Sequence, residues 1–285
     1  MKSLLRATWA LYVGHVLTFL RSRTAVYWTF AFPLFFLLMF GFAFGRGSKE
    51  NLDQLMPGLF TITVISGSLF GVSLRMVSER ESGILRRHRL TPVHPLAIVL
   101  AHGALALTTL GLSLLIQAGV AVAAFGFESK GNLAVLGFVM FLGGLALVPL
   151  GLVVGSVARD SKVAPAMTNF MFFPLMFLSG AAIPFQLLPR WMQAMARLVP
   201  TTYLVDALRG VIVWGVGVMN LKTDIAMLLL TAIIGVCANG LLFRWESTEP
   251  VRARRLAIAI LVLGILYVTA FVLSPALHVA ATPGT

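Results

Sequence analysis

The chain has 285 residues, 59% of them hydrophobic and 11% charged, with a mean hydropathy of +0.93 and a formal charge of +12. That composition excludes an ordinary soluble globular domain. The basic residues sit at the ends of apolar blocks, which suits topology signals and anionic headgroups and argues against nucleic acid as a partner.

In chain order, residues 1–24 come first. Leu5, Trp9, Tyr12, Val16, Phe19 and Leu20 recur at helical spacing among Lys2, Arg6, Arg21 and Arg23. This predicts an amphipathic helix along the cytoplasmic interface, not a span and not a cleaved leader. Apolar runs long enough to cross a bilayer are predicted at 25–44, 54–77, 96–125, 132–157, 163–183, 221–243 and 256–277. Arg21 and Arg23, then Arg80, Arg86, Arg87 and Arg89, then Arg159 and Lys162, then Arg244, Arg252, Arg254 and Arg255 fall on one side, which is read as the cytoplasm. The amino terminus is then expected inside and the carboxyl terminus outside. The single cysteine, Cys237, lies within an apolar run, so neither an internal disulfide nor a cysteine-based metal site is indicated.

Two connections carry most of the information. Residues 78–95 combine Glu79, Arg80, Glu81, Arg86, Arg87 and Arg89 with Ile84, Leu85 and Leu90, the pattern of a short amphipathic helix that Pro92 and Pro95 end. Apolar residues among so many charges favour a docking element over a plain solvated loop. Residues 184–210 are cut by Pro184, Pro189 and Pro200. Pro189 is placed to open a helix whose stripe is Leu188, Trp191, Met192, Met195 and Leu198, lying in the outer interface or re-entering the membrane. Asp206 and Arg209 then have the spacing of a helical ion pair.

Catalytic patterns are lacking. There is no phosphate-cradling Gly-x-x-x-x-Gly-Lys-Ser/Thr loop, no His-Glu-x-x-His helix and no Gly-x-Ser-x-Gly turn. His15, His88, His94, His102 and His278 are scattered and read as packing or interfacial residues, so no metal site is expected. The predicted spans hold few ionisable groups for a proton relay, so a transporter of this composition takes its energy from a partner. Gly41/Gly45, Gly67/Gly71 and Gly151/Gly155 have the spacing of close helix approach, and Pro174 is expected to kink the fifth span.

The layout resembles the permease subunits of ABC-2 type transporters. The resemblance rests on the amphipathic first helix, the loop Glu79-Arg80-Glu81-x-Gly83-x-Leu85 ending at Thr91-Pro92, and the segment from Phe173-Pro174 through Ser179-Gly180, Pro184, Pro189 and Trp191 to Tyr203, Asp206 and Arg209. It implies an all-α integral membrane fold, with an interfacial helix over 1–24 and a six-span core over 25–246; the extra carboxyl-terminal span with its tail over 247–285 departs from the family's layout and is read from its length and from Arg252, Arg254 and Arg255 ahead of it. It also implies a second permease copy, as homodimer or pseudo-dimer, and two copies of a cytoplasmic ABC ATPase subunit in the inner membrane. ATP and Mg²⁺ would be bound by that partner and no cofactor by this chain. Glu79, Arg80, Glu81, Gly83, Leu85, Leu90 and Pro92 would form the coupling helix. Asn169, Phe173 and Met176 would line the substrate path, and Pro184, Pro189, Trp191, Tyr203, Asp206 and Arg209 would belong to the outer re-entrant gate. The apolar interior favours a hydrophobic drug-like or lipid-like cargo. Two other classes stay open: a membrane-embedded transferase, which needs paired acidic or histidine residues on one cavity, and a non-catalytic scaffold.

Overall fold

A computed structural model describes residues 2–44, 49–89, 93–183 and 185–242, and those residues form helices and short connections without a strand. The order is α1 (Lys2–Arg21), α2 (Arg23–Phe44), α3 (Lys49–Glu81), α4 (Ile84–Arg89), α5 (Pro95–Phe125), α6 (Leu133–Val157), α7 (Val163–Leu178), α8 (Arg190–Ala196), α9 (Pro200–Trp214) and α10 (Lys222–Leu242). Among the described residues, five stretches are long and apolar enough to cross a membrane: Arg23–Ala43, Asp53–Glu81, Leu96–Phe125, Leu133–Val157 and Val218–Gly240. Val163–Leu178 is a shorter apolar helix. The chain is therefore an all-α integral membrane protein. The seventh run predicted at 256–277 lies outside the described residues.

Helix α3 is the axis of the bundle, packing on α2, α5, α6, α7 and α9. Its 33 residues rise about 50 Å at 1.5 Å each, more than the roughly 30 Å hydrocarbon layer, so it projects beyond that layer. The helix continues past the predicted second span, 54–77, to Glu81. Conversely α7 stops at Leu178, earlier than the predicted 183, and the turn that follows holds Gly180 at φ 80°, a region that only glycine enters freely.

In lipid, helices associate through close packing and interhelical hydrogen bonds, because lipid tails are as apolar as leucine. Both devices are present. At Gly151 of α6 an added Cβ would sit 2.0 Å from the Ser68 carbonyl oxygen of α3, so only glycine permits this backbone approach. Gly235 of α10 similarly meets Pro149 of α6, and there the Asn239 amide donates to the Pro149 carbonyl at 2.7 Å. The Thr63 hydroxyl donates to Gln117 Oε1 at 2.8 Å, joining α3 to α5, and Ser73 and Thr168 share a 2.9 Å bond between α3 and α7. Of the predicted glycine pairs, Gly41, Gly67, Gly151 and Gly155 face neighbouring helices closely, Gly71 faces open space, and Gly45 lies outside the described residues.

Helix α1 divides its faces. Leu5, Trp9, Val13, Leu17 and Leu20 are exposed at helical spacing, which suits insertion into a membrane interface. Tyr12 and Phe19 turn the other way, with the Tyr12 hydroxyl 3.0 Å from Thr108 of α5 and the Phe19 ring 5.3 Å beneath the Arg75 guanidinium of α3.

Candidate functional site

A cavity of about 1130 Å³ lies among α1, α2, α3, α5 and α7. Its walls are chiefly aromatic and aliphatic, including Phe32, Phe36, Phe70, Phe172 and Phe173, with Thr63, Ser66, Ser113 and Asn169 as polar points. Asn169, Phe173 and Met176, which the sequence proposed for a substrate path, all line it, because α7 presents one face at i, i+4 and i+7. The Asn169 side-chain amide donates to Pro165 O at 3.0 Å, which satisfies the carbonyl one turn back in the same helix. A large, chiefly apolar chamber that also carries hydroxyl groups and, from α1 and α3, His15, Arg75 and Glu79 fits a hydrophobic or amphipathic molecule.

At the end of the bundle where α3 gives way to α4, the charged loop behaves unlike a solvated segment. Arg80 is 4% exposed. Its guanidinium donates to Gly155 O at 3.0 Å, to Ser156 O at 3.4 Å, and to Ala158 O. It thereby satisfies carbonyls that a helix leaves unpaired at its last turn, and its charge complements the negative end of α6. Glu81 Oε1 accepts from the Ser161 amide at 3.0 Å, just ahead of α7, and Leu85 is fully buried. Gly83 takes φ 73° in the turn and nothing stands within 4 Å of an added Cβ, so its requirement is conformational. Arg86 and Arg87 are exposed, as is Ile84, which also lines the cavity. Of the residues expected to meet a partner, Glu79, Arg80 and Leu85 are therefore turned into this chain. Leu90 and Pro92 lie outside the described residues. Pro95 does not end α4; it opens α5, where the His94 ring accepts from the Leu96 amide at 3.2 Å.

Glu79 meets two histidines that stand far apart in the chain. His15 Nδ1 of α1 is 3.1 Å from Glu79 Oε1, and His102 Nε2 of α5 is 3.0 Å from Glu79 Oε2. The two imidazole centroids are 4.3 Å apart. His15 and Glu79 also line the cavity. The reading of all five histidines as scattered therefore fails for this pair: helical phase puts His15 and His102 on the inward faces of α1 and α5, and only the packing of those helices on α3 brings them together.

The opposite end carries α8 and α9. Pro189 stands immediately before α8, as expected, and Trp191, Met195 and Leu198 form an exposed apolar stripe, whereas Leu188 is buried. Tyr203 is buried and its hydroxyl donates to Arg197 O at 2.7 Å. Asp206 Oδ1 and Arg209 Nη1 are 4.0 Å apart, a loose form of the predicted pair. Pro184 lies outside the described residues. Helix α9 ends at Gly215, φ 67°, whose amide donates to Val211 O, the left-handed stop that glycine supplies.

The family model described as "ABC-2 type transporter" matches residues 6–213. Over 191 residues the chain is 28% identical to ABC transporter G family member 20 of Dictyostelium discoideum, covering 66% of this chain and 26% of that protein. It is 26% identical over 210 residues to the inner membrane transport permease YhhJ of Escherichia coli, covering 70% and 54% respectively. Similarity to the daunorubicin resistance ABC transporter permease protein DrrB1 of Streptomyces coeruleorubidus is 28% over 193 residues, covering 62% and 64%. In each case the alignment spans less than two thirds of the relative.

Proposed function

This chain belongs to the ABC-2 type transporter family, and from that premise we propose that it is the membrane permease of an ATP-driven exporter whose ATPase is a separate subunit. The cargo is a hydrophobic drug-like or lipid-like molecule held in the α1–α2–α3–α5–α7 cavity, where Asn169 is a polar contact and Phe173 and Met176 are apolar ones. The observation that carries the reading is the continuity of α3. It runs unbroken from Ser66 and Phe70 on the cavity wall to the turn before α4, so a force on α4 reaches the chamber through one rigid element.

Helix α4 is the proposed coupling element, and its contact face is Ile84, Arg86 and Arg87, which implies an acidic, partly apolar cleft on the ATPase. Arg80, Glu81 and Leu85 transmit the motion instead, by fastening the base of α4 to the α6–α7 connection. Closure of an ATPase dimer would tilt α4 and α3 together and alternate the side to which the cavity opens. A second permease copy would cover the aromatic face of α7, where Phe170 is 83% exposed and Phe173 and Phe177 stand beside it. Helix α4 faces the cytoplasm in this arrangement and α8 and α9 close the far side.

The transferase alternative required acidic or histidine residues on one cavity, and His15 with Glu79 meets that condition. The named relatives YhhJ and DrrB1 are permeases, which favours transport. Purification from native membranes tests the reading. An ABC ATPase should accompany the wild type and be lost from an Ile84→Asp, Arg87→Glu variant that keeps its fold. Recovery of folded wild type with no ATPase would return the scaffold and transferase readings.

A further inference from the structure

The His15–Glu79–His102 cluster sets two imidazoles against one carboxylate in a geometry that suits a shared cation. His102 is buried, and its Nδ1 lies 2.9 Å from Ile98 O. A carbonyl can only accept, so Nδ1 carries the proton and Nε2 of the neutral ring carries a lone pair. That lone pair points at Glu79 Oε2, 3.0 Å away, which is also an acceptor. Two buried acceptors at this distance need a positive charge between them, which either a second proton on the ring or a metal ion supplies. Arg75 is one turn away on α3, but its guanidinium rests over the Phe19 ring, and no ion pair joins it to Glu79 within 4.0 Å.

We propose that His15, Glu79 and His102 form a binding site for a divalent transition-metal cation, with Zn²⁺ the best fit, at the junction of α1, α3 and α5. Two imidazoles and one carboxylate are a borderline donor set of the kind that holds Zn²⁺ with an open position. The three ligand atoms lie within 4.8 Å of one another. The separations of 3.1 and 3.0 Å are close to the roughly 3.4 Å between neighbouring ligands of a tetrahedral ion with bonds near 2.1 Å. The His102 Nδ1–H to Ile98 O bond is the outer-shell contact that fixes the tautomer of a metal-bound imidazole. His15 and Glu79 line the cavity, which supplies both an entry path and room for a water ligand. One carboxylate and two neutral imidazoles give a net charge of −1, which a divalent ion reverses. Bound there, the ion ties the interfacial helix to the helix that leads into α4.

The test uses full-length protein purified without a polyhistidine tag, stripped with chelator and titrated with Co²⁺, so that it reads metal and not transport. The expected result is visible absorption saturating at one Co²⁺ per chain, displaced by Zn²⁺, and a melting midpoint that rises with free Zn²⁺. Glu79→Gln and His102→Ala should each weaken Co²⁺ binding at least tenfold, whereas His94→Asn should not. A wild-type titration without saturable binding overturns the proposal even where the variants misfold, and leaves a proton between His102 and Glu79. Equal binding by folded wild type and His102→Ala overturns it as well.

Discussion

Arg80→Ala separates two roles that the sequence does not distinguish, a surface charge that meets a partner and an internal brace. The guanidinium donates to three carbonyls at the end of α6, and Gly155, Ser156 and Ala158 are all buried. A hydrogen bond involving a charged group contributes about 1.5–3 kcal/mol, and a buried acceptor left without a donor costs about 1–3 kcal/mol. The three bonds share one side chain and are not additive. The cost of Arg80→Ala is then about 3–5 kcal/mol, comparable to breaking a buried charged contact elsewhere. Arg80→Lys keeps the charge but cannot reach all three oxygens, so it should fall between wild type and alanine. The assays are reversible unfolding of the isolated permease in mixed micelles and, separately, co-purification of an ATPase from native membranes. An Arg80→Ala protein as stable as wild type, yet unable to retain an ATPase, would place Arg80 on the partner surface and refute the internal brace.

Other expectations follow from the same packing. Gly151→Ala should destabilise by at least about 1–3 kcal/mol, since its Cβ meets the Ser68 backbone, whereas Gly71→Ala should be neutral or slightly stabilising in the same assay. Asn239→Leu should cost about 0.6–2 kcal/mol through loss of the bond to Pro149 O, read as a lower unfolding midpoint. Tyr203→Phe should cost about 0.5–1.5 kcal/mol by freeing Arg197 O, without altering which molecules are transported. Asn169→Leu should instead leave stability close to wild type and shift vesicle uptake toward more apolar probes, because it removes a polar point from the cavity wall.

The spans were readable because lipid imposes length and apolarity on any helix that crosses it. Six of the seven predicted ranges fall within several residues of five long helices and of the shorter α7, and the seventh lies outside the described residues. The line of residues behind Asn169, Phe173 and Met176 was readable too, since helical phase alone puts them on one face. The end of α3 was misjudged because a run of charge usually marks solvent. Yet Leu69, Ser73, Met76 and Val77 precede Arg80 at helical spacing and all are buried, so the phase of the inward stripe already contained Arg80. Leu85 gave no such signal, because its burial depends on how the Gly83 turn folds α4 back. The His15–Glu79–His102 cluster was beyond periodicity altogether. Each residue lies on a different helix, and nothing local states how α1 and α5 pack against α3.

If α4 engages a separate ATPase, its exposed residues lie against that partner in the membrane. A photoreactive residue placed at Ile84 in native membranes, followed by mass spectrometry of the adduct, tests it most directly, because Ile84 is exposed while neighbouring Leu85 is buried. An adduct with an ATP-binding-cassette ATPase is expected from position 84 and none from position 85. Adducts confined to lipid or to a second copy of this chain, with no ATPase peptide at position 84, would contradict it.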